Sequence, residues 1–310
     1  MSLELKSGIV RKFRGGDAGV AIPDGTQAID EYAFYKTDVH HVLIPGSIAV
    51  IGVRAFAGCK RLASIEIPDS VSVIGSDAFS HCKNLLSAKV DAILIQDRAF
   101  TGCLDLRRVT LSSRVRAIGS EAFYKCGCLE SIVIPDSVTQ IGDRAFAGCG
   151  RLRTVILGKG VKQIGRQAFA GCAPETLAVD PDNPYFYSDG AAIRRRTNIP
   201  EEQDSPFIIE NGTLTVYAGA DRTIHIPPTV NRIGVGAFYH NPGPVYMNIH
   251  DGVTSIGALA FCGCKHLQFI NYTDSVTCIG RRAFAQCHRI KSISLPASLR
   301  ANWEEYVERA

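Results

Sequence analysis

No stretch of this 310-residue sequence approaches the roughly 18 consecutive apolar residues a helix needs to cross a bilayer, so membrane insertion is not expected. Concentrated positive charge is also missing. The longest cationic run is Arg194-Arg195-Arg196, and 34 Lys and Arg against 30 Asp and Glu leave a formal +4. Nucleic-acid partners are therefore not expected, because they call for Lys and Arg gathered on one face. The start, MSLELKSGIVRKF, lacks the apolar segment of a secretory signal, so a native start here implies a cytoplasmic chain. What is present is ordinary for a folded chain: 46% hydrophobic residues, ample for a core, and 21% charged. The length alone suggests two globular domains.

Internal repetition changes that expectation. The string Ile-Gly-x-x-Ala-Phe-x-x-Cys appears at Ile51…Phe56…Cys59, Ile74…Phe79…Cys82, Ile118…Phe123…Cys126, Ile141…Phe146…Cys149, Ile164…Phe169…Cys172, Ile256…Phe261…Cys264 and Ile279…Phe284…Cys287. Degenerate copies lie at Ile29…Phe34, Ile95…Phe100…Cys103 and Ile233…Phe238. From Phe34 the spacings are 22, 23, 21, 23, 23 and 23, then 69 (three times 23), then 23 and 23.

Three residues after each Cys comes a second element, as in Leu62-Ala63-Ser64-Ile65-Glu66-Ile67 and Leu129-Glu130-Ser131-Ile132-Val133-Ile134. Its alternation predicts a strand with one buried face. Pro68 and Pro135 end it, since proline cannot donate to a continuing ladder. A short apolar stretch follows, Val71 to Ile74 or Val138 to Ile141, and Gly75 and Gly142 then permit a turn that a side chain would obstruct.

One such coil cannot bury its own apolar edge, so coils must stack. The expected fold is a β-rich solenoid, a right-handed superhelix of about 23-residue coils with a parallel sheet on one face. Stacking aligns Ile65, Ala88, Val109, Ile132 and Val155 in one inward column and Phe56 through Phe169 in another. Each buried side chain of this kind contributes about 1.5–3 kcal/mol. One continuous solenoid is expected, divided into an N-terminal capping hairpin (1–28, its strands between Ile9 and Ile22), a first repeat block (29–172), a variant repeat with a hairpin (173–222), a second block (223–296) and a C-terminal cap (297–310). Within the variant segment, Asp180 to Gly190 reads as turn-rich and Thr197 to Asp204 as an exposed loop. Phe207 to Tyr217 reads as a hairpin about Asn211-Gly212, and Asn302 to Val307 as a short helix over the last coil.

The combined pattern, Leu-x-x-Ile-x-Ile-Pro-x-x-Val-x-x-Ile-Gly-x-x-Ala-Phe-x-x-Cys, closely resembles the BspA-like leucine-rich repeats over residues 20–296. The resemblance implies a curved solenoid that binds protein ligands or mediates adhesion, often at a cell surface. It brings no catalytic residues.

Candidate chemistry is thin. Of the 11 cysteines, Cys59, Cys82, Cys103, Cys126, Cys149, Cys172, Cys264 and Cys287 share one repeat position and read as buried free thiols. Cys128, Cys262 and Cys278 lie off that ladder and are the expected reactive ones. Cys126-Gly127-Cys128 and Cys262-Gly263-Cys264 are too closely spaced for a zinc site. Counted as a calcium loop from Asp180, the chain has Pro184, Tyr185 and Ala191 where an oxygen ligand, Gly and Glu are required. Gly234-Val235-Gly236 has Tyr239 where a dinucleotide fingerprint needs Gly. Asn211-Gly212-Thr213 and Asn271-Tyr272-Thr273 match the glycan sequon. No catalytic, cofactor-binding or metal-ligating residue is expected.

Function is expected on the outward strand positions, which vary while the inward ones recur. They are His41/Leu43, Ser64/Glu66, Ser87/Lys89, Arg108/Thr110, Ser131/Val133, Thr154/Ile156, Tyr246/Asn248, Phe269/Asn271 and Ser292/Ser294. Arg108, Val133, Thr154, Ile156, Tyr246, Asn248, Phe269 and Asn271 form the candidate surface for a protein or peptide, with aromatic anchors at Tyr246 and Phe269. The alternatives are a self-assembling scaffold and, more remotely, an enzyme with its site in the 173–222 insert, whose acids are Glu201, Glu202 and Asp204.

Overall fold

The computed structural model describes residues 2–15, 19–197, 205–271, 274–293, 299 and 302–307. The chain forms two compact units, Met1–Glu202 and Gln203–Ala310, and each is a β-solenoid.

In the first unit the alternating segments become six strands, Ser64–Ile67, Ser87–Val90, Arg108–Leu111, Ser131–Ile134, Thr154–Leu157 and Thr176–Val179, paired in parallel in chain order. Register advances one repeat per strand: Ile65 opposes Ala88, Ala88 opposes Val109, and Ile132 opposes Val155. The Ile-Gly stretch builds a second, longer sheet from two-residue strands such as Val50–Ile51, Val73–Ile74 and Gln140–Ile141. In the second unit Thr223–His225, Tyr246–Asn248, Phe269–Asn271 and Ser292–Ile293 form the corresponding first sheet. Thr213–Tyr217, Arg232–Ile233, Ser255–Ile256 and Cys278–Ile279 belong to this unit's own second sheet.

The phenylalanines stack between the sheets. From Phe34 to Phe169, successive ring centroids are 4.7–5.3 Å apart and the ring planes are within 14° of parallel. The backbone sets this spacing. The Phe56 amide donates to the Ala78 carbonyl of the next coil at 2.7 Å, and Phe123 does the same to Ala145. At this separation the regular Ile-Gly coils leave no room for a side chain at the glycine. A Cβ on Gly142 would lie 2.4 Å from the Ser120 amide nitrogen, and one on Gly75 would lie 2.8 Å from the Gly52 carbonyl carbon. The obstruction inferred from sequence is therefore the backbone of the neighbouring coil.

The cysteines act as more than small apolar fillers. Each ladder thiol donates to the carbonyl of the previous coil's phenylalanine, as in Cys82 Sγ to Phe56 O (3.1 Å) and Cys126 Sγ to Phe100 O (3.3 Å). Cys264 bonds Phe238 O in the second unit (3.1 Å). Where the repeat has Asn241 in place of Cys, the side-chain amide makes the same bond, Nδ2 to Tyr217 O of the previous coil at 3.3 Å, whereas Thr37 Oγ1 turns back to Phe34 O of its own coil at 2.9 Å. Burial pushes the Cys103 thiol up to about 12. Cys172 and Cys287 are half-buried.

Several elements differ from the sequence reading. The N-terminal hairpin pairs Ser2–Lys6 with Ile9–Arg14, while Gly19–Ala21 runs parallel to His41–Leu43 as a repeat strand. The turn-rich variant segment contains a second hairpin, Phe186–Ser188 with Ile193–Arg195. Asn183, read as a turn former, is buried: its amide donates to the Gly158 and Val161 carbonyls, and its carbonyl accepts from the Tyr185 and Phe186 amides. Cys262 is only 1% exposed. It follows Phe261, and the corresponding Ala57, Ser80, Ala147 and Ala285 are buried too. Adjacency to the ladder position, not departure from it, decides its environment.

The hairpin about Asn211-Gly212 forms as expected, with both turn residues at positive φ. The helix is Trp303–Val307; its Tyr306 carbonyl accepts from the Phe284 amide at 2.9 Å, the bond a further coil would make. Leu295, Pro296 and the 198–204 part of the expected loop lie outside the described residues.

Two outcomes are expected. Phe146→Ala should cost about 3–5 kcal/mol in denaturant unfolding as a core cavity, and Thr154→Ala less than about 0.5 kcal/mol; equal midpoints would contradict the inward and outward assignment. With a maleimide reagent on native protein, Cys278 should react first, half-buried Cys128, Cys172 and Cys287 more slowly, and the buried ladder thiols and Cys262 only after unfolding. Prompt modification of Cys103 or Cys126 would exclude this packing.

Candidate binding face

Side chains alternate across a strand, so burying Ile65, Ile132 and Val155 turns their neighbours outward. In the first unit Arg108, Val133 and Ile156 are exposed and Thr154 is half-buried. Val133 opposes Ile156 in the parallel register, and they are 55% and 37% exposed. Two branched apolar side chains thus stand side by side in solvent. Arg108 lies one strand from Val133 and two from Ile156, beside a shallow recess lined by Ser64, Glu66, Ser87, Lys89 and Thr110. Of these candidates, Val133, Ile156 and Thr154 are brought together on adjoining strands, with Arg108 one strand before Val133.

In the second unit Tyr246 opposes Phe269 and Asn248 opposes Asn271. The rings stack with centroids 5.0 Å apart at 5°, and Asn271 Nδ2 donates to Asn248 Oδ1 at 3.1 Å. All four sequence-inferred residues therefore form one patch. Tyr246 remains 46% exposed. Two neighbours escaped sequence reasoning. His225 continues the polar row, its Nδ1 3.4 Å from Asn248 Nδ2, and Lys291 places Nζ 5.9 Å from the Phe269 ring. Both follow from repeat register, since His225 occupies the Asn248 position one coil earlier and Lys291 directly precedes the next strand. The Ser294 outward position lies outside the described residues.

The other candidates resolve as structural groups. Asp180 accepts the Asp182 amide. Asp189 accepts the Ala191 and Ala192 amides and pairs with Arg194, which holds its carboxyl down at about 2. These carboxylates cap turns. Gly234-Val235-Gly236 is an ordinary coil turn, with the Gly234 amide bonded to Leu214 O. In the second sequon, Tyr272 and Thr273 lie outside the described residues, as do Glu201, Glu202 and Asp204.

An open groove of about 740 Å³ flanks the last coil of the first unit, between Phe169, Cys172 and Leu177 on one side and Phe186, Ile193 and Arg195 on the other. Among the described residues its lining holds no carboxylate and no imidazole, the groups general acid–base work most often uses. Burial, followed by the hydrogen bond to Asp221, raises the Tyr217 hydroxyl; this is an internal structural pair.

Among the described residues no helix is long and apolar enough to cross a membrane. No curated protein matches the sequence. Among solved structures, the chain is similar to a leucine rich cell surface protein from Faecalibacterium prausnitzii, at 28% identity and a TM-score of 0.53, over 93% of this chain and 78% of that one. It also matches a leucine-rich repeat protein from Bacteroides ovatus at 22% identity, covering 94% and 83% of the two chains, with a TM-score of 0.36. Residues 27–149, 86–187 and 219–306 match the BspA type leucine rich repeat region, in six copies. The coils, their inward columns and that match together make this chain a member of the BspA-type leucine-rich repeat family.

Proposed function

We propose that this protein is a non-enzymatic binding module that holds a protein or peptide on the outward face of its strand sheets, at a cell surface. The observation that carries this reading is the Tyr246–Phe269 stack, with Tyr246 exposed and Phe269 half-buried beside the Asn248–Asn271 amide pair. The inward columns repeat because every coil must bury the same side chains. The outward positions are free of that constraint, yet they hold apolar groups at Val133, Ile156 and Tyr246 where solvent alone favours polar ones. Aromatic residues with a polar neighbour supply large contact area at little cost in side-chain entropy, which is why they recur as interface anchors. The cell-surface placement draws on the description of the Faecalibacterium prausnitzii protein.

A peptide selected by display against the whole chain supplies the probe. The double variant Tyr246→Ala, Phe269→Ala should weaken its binding by about tenfold or more, as loss of an interface anchor does. Its melting temperature should stay close to that of the parent, because both side chains stand outside the core. Normal binding by that variant, together with loss of binding when residues 197–204 are removed, would place the site elsewhere.

A further inference from the structure

The strand face of the second unit carries cations without compensating acids. Arg222 and Lys291 directly precede the strands Thr223–His225 and Ser292–Ile293, and none from 222–225, 245–248, 268–271 or 291–294 is Asp or Glu. The first unit's face differs, with Glu66, Glu130 and Glu175 among its cations. Arg222 and Lys291 are exposed, and neither has a carboxylate partner among the described residues. In the register they bracket the aromatic pair: the Arg222 carbonyl accepts the Tyr246 amide, and Lys291 Nζ lies over Phe269.

The rings themselves add to this polarity. Because Tyr246 and Phe269 stack on each other and Lys291 stands over Phe269, a ligand lying across the strands meets ring edges more than ring faces. The edge is the positive end of an aromatic quadrupole and attracts an anion, whereas stacking a sugar needs an open face. The amides of Asn248 and Asn271 suit the backbone groups of an extended chain.

We infer that this face takes an extended acidic peptide segment, with carboxylates engaging Arg222 and Lys291 and intervening residues crossing the Tyr246–Phe269 edge; this inference rests on the strand-face reading above. Three strand steps separate the Arg222 and Lys291 strands, about 14 Å at sheet spacing, and an extended peptide covers that in about four residues. The preferred partner carries acidic side chains four positions apart.

The test uses the full chain and two fluorescein-labelled peptides of Gly and Ser. One has two Glu residues four positions apart; the other has Gln at the same places. Fluorescence anisotropy should show the Glu peptide binding about fivefold or more tightly than the Gln peptide, with the difference shrinking as salt rises. Arg222→Gln with Lys291→Gln should abolish that preference and leave the melting temperature unchanged. Equal binding of the two peptides, no binding of either, an unaltered preference in the double variant, or tighter binding of a hyaluronate oligosaccharide would each overturn the inference. If both peptides bind equally and both are lost in Tyr246→Ala, Phe269→Ala, the charge assignment fails while the strand-face reading stands.

Discussion

The bond on which the rest of the structure depends is the one from each ladder phenylalanine amide to the alanine carbonyl of the next coil. It recurs at 2.7 Å from Phe34 to Ala55, Phe79 to Ala99, Phe146 to Ala168 and Phe261 to Ala283. This bond holds neighbouring coils one strand spacing apart, which brings the phenylalanine rings into contact and leaves no room for a side chain at the Ile-Gly glycine. Coils of 21 and 22 residues, ending at Phe100 and Phe56, keep the same bond. The length variation is absorbed elsewhere in the coil, because the cost of a mismatched Phe–Ala pair would fall on two coils at once.

The bend around that pair demands two left-handed residues per coil. One precedes Ala-Phe, as in Arg54, Asp77, Arg98, Glu121 and Arg144, and the other lies two residues after Phe. The first set alternates in sign. Arg54 and Arg98 both reach Asp77, at 3.5 and 2.8 Å, and Arg144 reaches Glu121 at 2.9 Å. These pairs are partly exposed and individually weak, so they select register more than they add stability. The second set alternates in size: a Cβ on Gly102 would fall 2.6 Å from the His81 ring, and one on Gly148 would fall 3.2 Å from Lys125 Cγ. A long side chain folds over the next coil only where that coil has glycine.

The thiol ladder follows the same logic. Each phenylalanine carbonyl already accepts an amide within its own coil, such as Cys59 N to Phe56 O, and the next coil's thiol occupies its remaining acceptor site. Cysteine serves there because it is small, apolar enough for the core and still a donor. Asn241, which bonds the previous coil's Tyr217 carbonyl, shows that the donor is what the position retains.

The sequence determined the coil, its inward columns and the outward identity of Tyr246, Asn248, Phe269 and Asn271, because each of these is a matter of period: a residue repeated every 23 positions must face its own copies. It also exposed the Asn211-Gly212 turn, whose chemistry is local. Only tertiary structure decided matters that depend on what lies across a coil. Asn183 looked like any turn asparagine until the Gly158 and Val161 carbonyls were brought against it. Cys262 stood off the ladder yet sank into the core with its neighbour Phe261. Lys291 belonged to no sequence motif, and the parallel register alone carried its ammonium over the Phe269 ring. Repetition along a chain fixes which residues stack. The partners of a residue that occurs once are set by distances between coils, and those exist only after folding.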